Sequence, residues 1–199
     1  MRSLLVAVTA GLALGLLAGG RLGDAGTRPF RLLPLLVAGV AGPLAAELAD
    51  LGGGPGRALV LGGQVALVAF AAANLRIVGM PVVLVGLGLN AAVLVANDAM
   101  PVRATALVEA GHDGGLEGID LGVERRLEAP GDALTGLADI VPVRPLGEVV
   151  SFGDLILAAG VADVAFRMVL PPGARRRRAA QVAGPAGRFS VGPPPSAAA

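Results

Sequence analysis

Five apolar blocks, each near the length of a bilayer, leave few folds open to this chain. A helix needs about 20 predominantly apolar residues to cross the hydrocarbon core. Windows at about 3–18, 32–49, 58–73, 77–96 and 155–170 meet or approach that length. Their apolar residues run in continuous blocks rather than in the one-sided stripe of a surface helix. Lipid offers no partner to a bare backbone amide, so each block has to be helical. Pro34, Pro43 and the glycines inside the blocks would weaken a soluble helix, but membrane helices tolerate them. Only 16% of the residues are charged, against about 25% in a soluble domain. That is too little polar surface to cover a globule. The expected fold is an all-α integral membrane protein of about five transmembrane helices in residues 1–170.

Between the fourth and fifth blocks lies the one long polar segment, 97–151. It holds ten acids and four arginines. Its apolar residues, among them Leu107, Val108, Leu116, Ile119, Leu121, Leu137 and Ile140, are expected to fold it back onto the bundle. After the fifth block come Arg175 to Arg178 and a Gly/Pro/Ala-rich end, so 171–199 reads as a disordered tail. Arginine in short loops marks the cytoplasmic side. With the N-terminus outside, ten arginines fall inside and six outside. This orientation puts the acidic loop outside a bacterial plasma membrane and the tail in the cytoplasm. The first block also has the pattern of a cleaved secretory signal, with Arg2, a short apolar run and small residues. Cleavage would place Arg175 to Arg178 outside, against the charge rule.

Little in the composition supports catalysis. There is no Lys for a phosphate loop, no Cys for thiol or thiolate chemistry, and His112 is the only His. Metal sites built on several His or Cys ligands are therefore excluded. Glu109, Asp113 and Glu117 surround His112 in sequence without the spacing of a calcium loop, and read as a solvated acidic face. No catalytic residue, metal or cofactor is expected, nor any nucleic-acid partner.

Polar groups inside the blocks are the next candidates, because a bilayer makes them costly. Asn90 and Asn97 share one helical face with Val83 and Gly86. Small residues beside an amide suit close helix–helix packing, and Gln64 in the third block reads the same way. Asp163 stands four residues before Arg167, the favourable order for an ion pair on a helix. A relay of protons or ions through Asp163 is the rival reading.

Two stretches have more character than composition requires. Asn97-Asp98-Ala99-Met100-Pro101-Val102 breaks the fourth block, with Pro101 barring continuation. Leu137-Ala138-Asp139-Ile140-Val141-Pro142-Val143 is followed by Val149-Val150-Ser151-Phe152-Gly153-Asp154, where Ser151 suits an N-cap and Asp154 the first turn. In this order they resemble a bacterial membrane-protein family catalogued as domain of unknown function 5317. That likeness runs from about Arg2 to Arg167. Members carry N-G-G-x-M-P-V, then L-x-D-x-I-P, then S-x-G-D-x-L. The resemblance singles out Asn90, Asn97, Met100, Pro101, Val102, Asp139, Pro142, Ser151, Gly153 and Asp154. Two departures stand out: Asp98-Ala99 replaces the Gly-Gly pair, and Arg125-Arg126 stands where members tend to show a His. The family brings a topology and no activity.

The functional expectation is a non-enzymatic accessory or interaction protein whose outer surface meets lipid, a cation, another membrane protein or a second copy of itself. In it, Asp139 and Asp154 hold the loop to the first turn of the last span. The alternative is a small transporter or channel using Gln64, Asn90 and Asp163.

Overall fold

The computed structural model describes residues 2–23, 29–112 and 119–171. The disordered tail expected from the sequence, and Leu116 in the loop, lie outside these residues. The chain is mostly helical. Its elements are α1 (Arg2–Leu17), α2 (Leu33–Leu48), α3 (Gly53–Ala73), α4 (Met80–Asn97), a short α5 (Ala104–Glu109) and α6 (Phe152–Val169). Four of the five long helices both start and end within about three residues of the apolar windows. The exception is α3, which begins at Gly53 rather than near 58. Gly53, Gly54 and Pro55 look like a loop, but a first helical turn has unpaired N–H groups and loses nothing to proline. By length and composition, α3 and α4 can each cross a membrane, while α1 and α2 are shorter apolar helices.

The helices pack in the neighbour order α2, α3, α4, α6, α1. Glycine permits the close approach in three of these pairs, α4 with α6, α2 with α3 and α1 with α6. A Cβ at Gly86 of α4 would stand 2.6 Å from the Leu157 nitrogen of α6, and one at Gly160 equally close to the Val83 nitrogen. Gly39 of α2 and Gly63 of α3 oppose each other, and Gly11 and Gly15 of α1 lie on α6 at Ala162 and Phe166. Dispersion at such short range is what can hold helices together in lipid. Phe70, Ile77, Met80, Val83, Leu87 and Val164 form the inner core of the bundle.

Successive helices run in opposite directions. At one end the Arg21 N–H donates to the Val169 carbonyl at 2.8 Å. At the same end buried Asn74, just past α3, accepts from the Arg31 N–H and donates to the Arg31 and Phe70 carbonyls, each at 2.8 Å. At the other end the long segment gathers into a cap. Glu148 accepts from the Arg2 and Ser3 N–H groups at 2.8 and 3.0 Å, and Glu47 from the Val123 N–H at 3.0 Å.

The cap corrects the all-α expectation. β1 (Met100–Val102) pairs in parallel with β2 (Arg125–Leu127), and β3 (Val141–Val143) pairs antiparallel with β4 (Glu148–Val150). Val102 also bridges to Asp139, whose N–H donates to the Pro101 carbonyl at 3.0 Å. Met100, Ala138, Leu137 and Ile140 pack on Val60 of α3 and on Val93 and Leu94 of α4, which seats the cap on the bundle. Leu107 and Leu121 belong to a second small core with Val102 and Val149. Val108 instead faces outward.

Candidate functional site

Where cap meets bundle, three polar side chains close on one another. Ser151 is the N-cap of α6, and its Oγ accepts from the Asp154 N–H at 2.9 Å. The Asp154 carboxylate returns the contact to the Ser151 N–H at 3.2 Å, completing a capping box. From α4, Asn90 Nδ2 donates to Asp154 Oδ1 at 2.7 Å, and Ser151 Oγ donates to Asn90 Oδ1 at 2.9 Å. Gly153 is required beside them, because a Cβ there would collide with Asn90 Oδ1. These four residues lock the first turn of α6 against the middle of α4.

One layer further into the cap lies Asp139, whose side chain is 1% exposed. Arg125 Nε stands 3.1 Å from its Oδ2, yet neither carboxylate oxygen makes a hydrogen bond. Burial pushes the Asp139 carboxyl up to about 7; Arg125 opposes that rise and Asp154 adds to it. Glu124, exposed as a whole residue, is also pushed up, first by desolvation, with Glu47 and Asp154 adding to it against Arg125. Asp139, Glu124, Arg125 and Asp154 line a cavity of about 80 Å³ together with Gln64, Asn90, Leu94 and Met100. Gln64 Nε2 donates to the Leu87 carbonyl at 2.8 Å, tying α3 to α4 at the cavity wall. The arrangement can accept hydrogen bonds and hold a proton near neutrality. Among the described residues, no three or more His, Cys, Asp or Glu side chains are grouped so as to hold a metal ion.

The other residues singled out from sequence fall into supporting positions. Asn97, buried at the end of α4, donates to the Val93 and Ala133 carbonyls at 2.9 Å and accepts from the Ala133 N–H at 2.8 Å. Asp98 follows at φ 66° and forms an ion pair with Arg57. Asp98 thus takes the left-handed conformation that glycine adopts freely and that Asp tolerates. Met100 and Pro101 are buried in β1, and Pro142 lies in the middle of β3. Asp163 and Arg167 pair at 2.8 Å toward the far end of α6, half-exposed and remote from the cavity lining. Asp139 and Asp154 share the cavity, but Asp139 reaches α6 through no direct hydrogen bond; its ion pair is with Arg125 inside the cap.

Three participants escaped the sequence reading. Arg125 was legible only as a departure from the His of related chains, and it proves to be the cation on Asp139. Glu124 carried no signal beyond its charge. Glu148 anchors α1 from the far side of the chain: burial pushes its carboxyl up, but hydrogen bonds from the amino terminus and from the Arg2 and Ser3 amides outweigh this and hold it at about 2. The Arg126 fork grips Asp132 at 2.5 and 2.8 Å. Those bonds and the Ala129 N–H hold the Asp132 carboxyl at about 2.

No curated protein and no solved structure matches this chain. A family model described as "Family of unknown function (DUF5317)" matches residues 57–166. That span is more than half of the chain and takes in most of α3, α4, the cap and most of α6, but not α1 or α2. The polar cluster at the cap and bundle junction is thus the part of a member that the family model covers, and the chain belongs to this family of unknown function.

Proposed function

We propose that this is a non-enzymatic, multi-pass membrane protein whose five long helices sit in a bilayer and carry a rigid cap on one face for contact with partners. The observation that supports this most is the distribution of bare apolar surface. Leu17, Leu48, Val65 and Val95 are each at least 68% exposed, on four different helices. Such surface is costly in water and neutral against lipid tails. The polar cap gathers at one end only. Arginine counts favour the cap outside and the tail in the cytoplasm of a bacterial plasma membrane. The partners in this reading are lipid and a second membrane protein or copy of the chain, with no nucleic acid. The transporter alternative draws support from Gln64 and Asn90 in one cavity, but each amide nitrogen already donates, to the Leu87 carbonyl and to Asp154, and Asp163 is remote.

The test uses the absence of native Cys. Cys is introduced singly at Leu134 in the cap and at Arg76 between α3 and α4, and intact cells are treated with an impermeant thiol reagent. Labelling at Leu134 alone, with the protein resisting alkaline carbonate extraction, supports the reading. Release by carbonate, or labelling at Arg76 alone, overturns the embedding or the orientation respectively.

A further inference from the structure

The two ends of the bundle use arginine differently. At the cap end, four of the six described arginines are ion-paired, as Arg103 is to Glu128 and Arg126 to Asp132. The other two, Arg2 and Arg144, donate to the Leu146 and Glu109 carbonyls at 2.8 Å. At the opposite end Arg21, Arg31 and Arg76 are exposed, and among the described residues none of these three side chains has a partner. The one acid near them among the described residues, Asp163, is taken by Arg167. Their backbone is nevertheless fixed. The Arg21 N–H donates to the end of α6, and buried Asn74, two residues before Arg76, bonds both the N–H and the carbonyl of Arg31 at 2.8 Å. Each free arginine also has a bare leucine next to it in the chain: Leu22 is 65% exposed, Leu32 57% and Leu75 46%. Leu32 stands at φ 53°, a left-handed conformation that is costly for Leu, and its side chain is still more exposed than buried.

We infer that the end of the bundle opposite the cap is a docking surface for anionic phospholipid, with Arg21, Arg31 and Arg76 as its phosphate contacts. Water suits the guanidiniums and not the leucines. A bilayer interface suits both, with the leucines among the upper acyl carbons and the guanidiniums at the headgroups. The planar fork of arginine matches two phosphate oxygens at once. Charge selects the lipid. Three cations with no acid left to neutralise them attract a headgroup of net negative charge, such as phosphatidylglycerol, whereas phosphatidylcholine brings its own cation. A basic residue at an anionic membrane surface strengthens association about fivefold. The inference rests on the membrane embedding proposed above and adds to it which lipid is chosen and by which residues.

The experiment reconstitutes the full chain in phosphatidylcholine bilayers with a trace of spin-labelled phosphatidylglycerol or spin-labelled phosphatidylcholine. Lipid in contact with the protein gives a motionally restricted component in the electron spin resonance spectrum, and its share reads the relative association of the two lipids. The expected result at low salt is phosphatidylglycerol favoured about fivefold by the parent chain. The preference should fall to near parity in the triple variant Arg21→Gln, Arg31→Gln, Arg76→Gln. It should stay whole in the cap-end variant Arg2→Gln, Arg144→Gln. The three replaced side chains are exposed, and Asn74 holds only the backbone of Arg31, so the triple variant reads lipid contact rather than folding. Equal restriction of both lipids by the parent, an undiminished preference in the triple variant, or an equal loss in the cap-end variant would each overturn the docking surface. Equal restriction in protein that still resists carbonate extraction sinks the surface and leaves the membrane reading standing. No restricted lipid of either kind sinks both.

Discussion

Asn90 and Asp154 stand 64 positions apart in the chain and meet at 2.7 Å, α4 donating an amide N–H to the capping carboxylate of α6. The bond joins α4 to the first turn of α6, so it sets where the cap begins. Asn90→Leu removes both this donor and the acceptor used by Ser151, leaving a buried hydroxyl and carboxylate short of partners. The expected loss is about 2–4 kcal/mol for the pair of bonds, read from SDS-induced unfolding followed by circular dichroism. Ser151→Ala, which loses the cap, should cost about 1 kcal/mol.

Gly153 tests the same junction by size. Alanine there drives a methyl into Asn90 Oδ1, and α6 has to move away from α4. The variant should lose at least as much stability as Asn90→Leu, whereas alanine at Gly88, with open space around it, should change stability by under about 0.5 kcal/mol. Equal behaviour of the two variants in SDS unfolding would contradict the packing.

The carboxyl of Asp139 gives the cap a pH dependence of unusual sign. Its folded value of about 7 lies above the ordinary 3.8 because burial disfavours the charge. The folded state therefore holds a proton that the unfolded chain releases, and stability falls as pH rises from about 4 through 7. The cap is expected to be more stable at pH 5 than at pH 8 by on the order of a few kcal/mol. Asp139→Asn should flatten the slope, which proteolysis rates of the cap across that range would show.

Glu148 has the opposite sign. Its value is held at about 2, below the ordinary 4.5, so its contribution is full above about 4.5 and disappears as pH falls through 2. Glu148→Gln should free the start of α1 without unfolding α3 and α4. A Cys placed at Ser3 would then be alkylated several-fold faster in the variant than in its parent.

Much of the bundle could be read from the chain. Apolar blocks show as helices because the signal is local and long, and the α4 face of Val83, Gly86, Asn90 and Asn97 is the buried one. Capping at Ser151 and Asp154 was equally local. The cap was not legible as sheet. Strands of three residues carry no periodicity, and β1 finds β2 across a gap in which neither segment announces the other. Arg125 and Glu148 likewise act outside their own segments, Arg125 on Asp139 and Glu148 on a helix 145 residues away. The stronger limit is at α3, where Gly-Gly-Pro has the composition of a turn and becomes a helix start because the first turn asks for no N–H donors.

The neighbour order of the helices has a consequence for how the chain is made. Of the described long helices α1 leaves the ribosome first, yet its partner is α6, the last of them to emerge. Until then its glycine seam at Gly11 and Gly15 has nothing to close on, and Arg2 and Ser3 have no carboxylate to hold them. Between the synthesis of α1 and that of α6 the earlier helix is therefore unescorted, and α6 closes this bundle by reaching back to it.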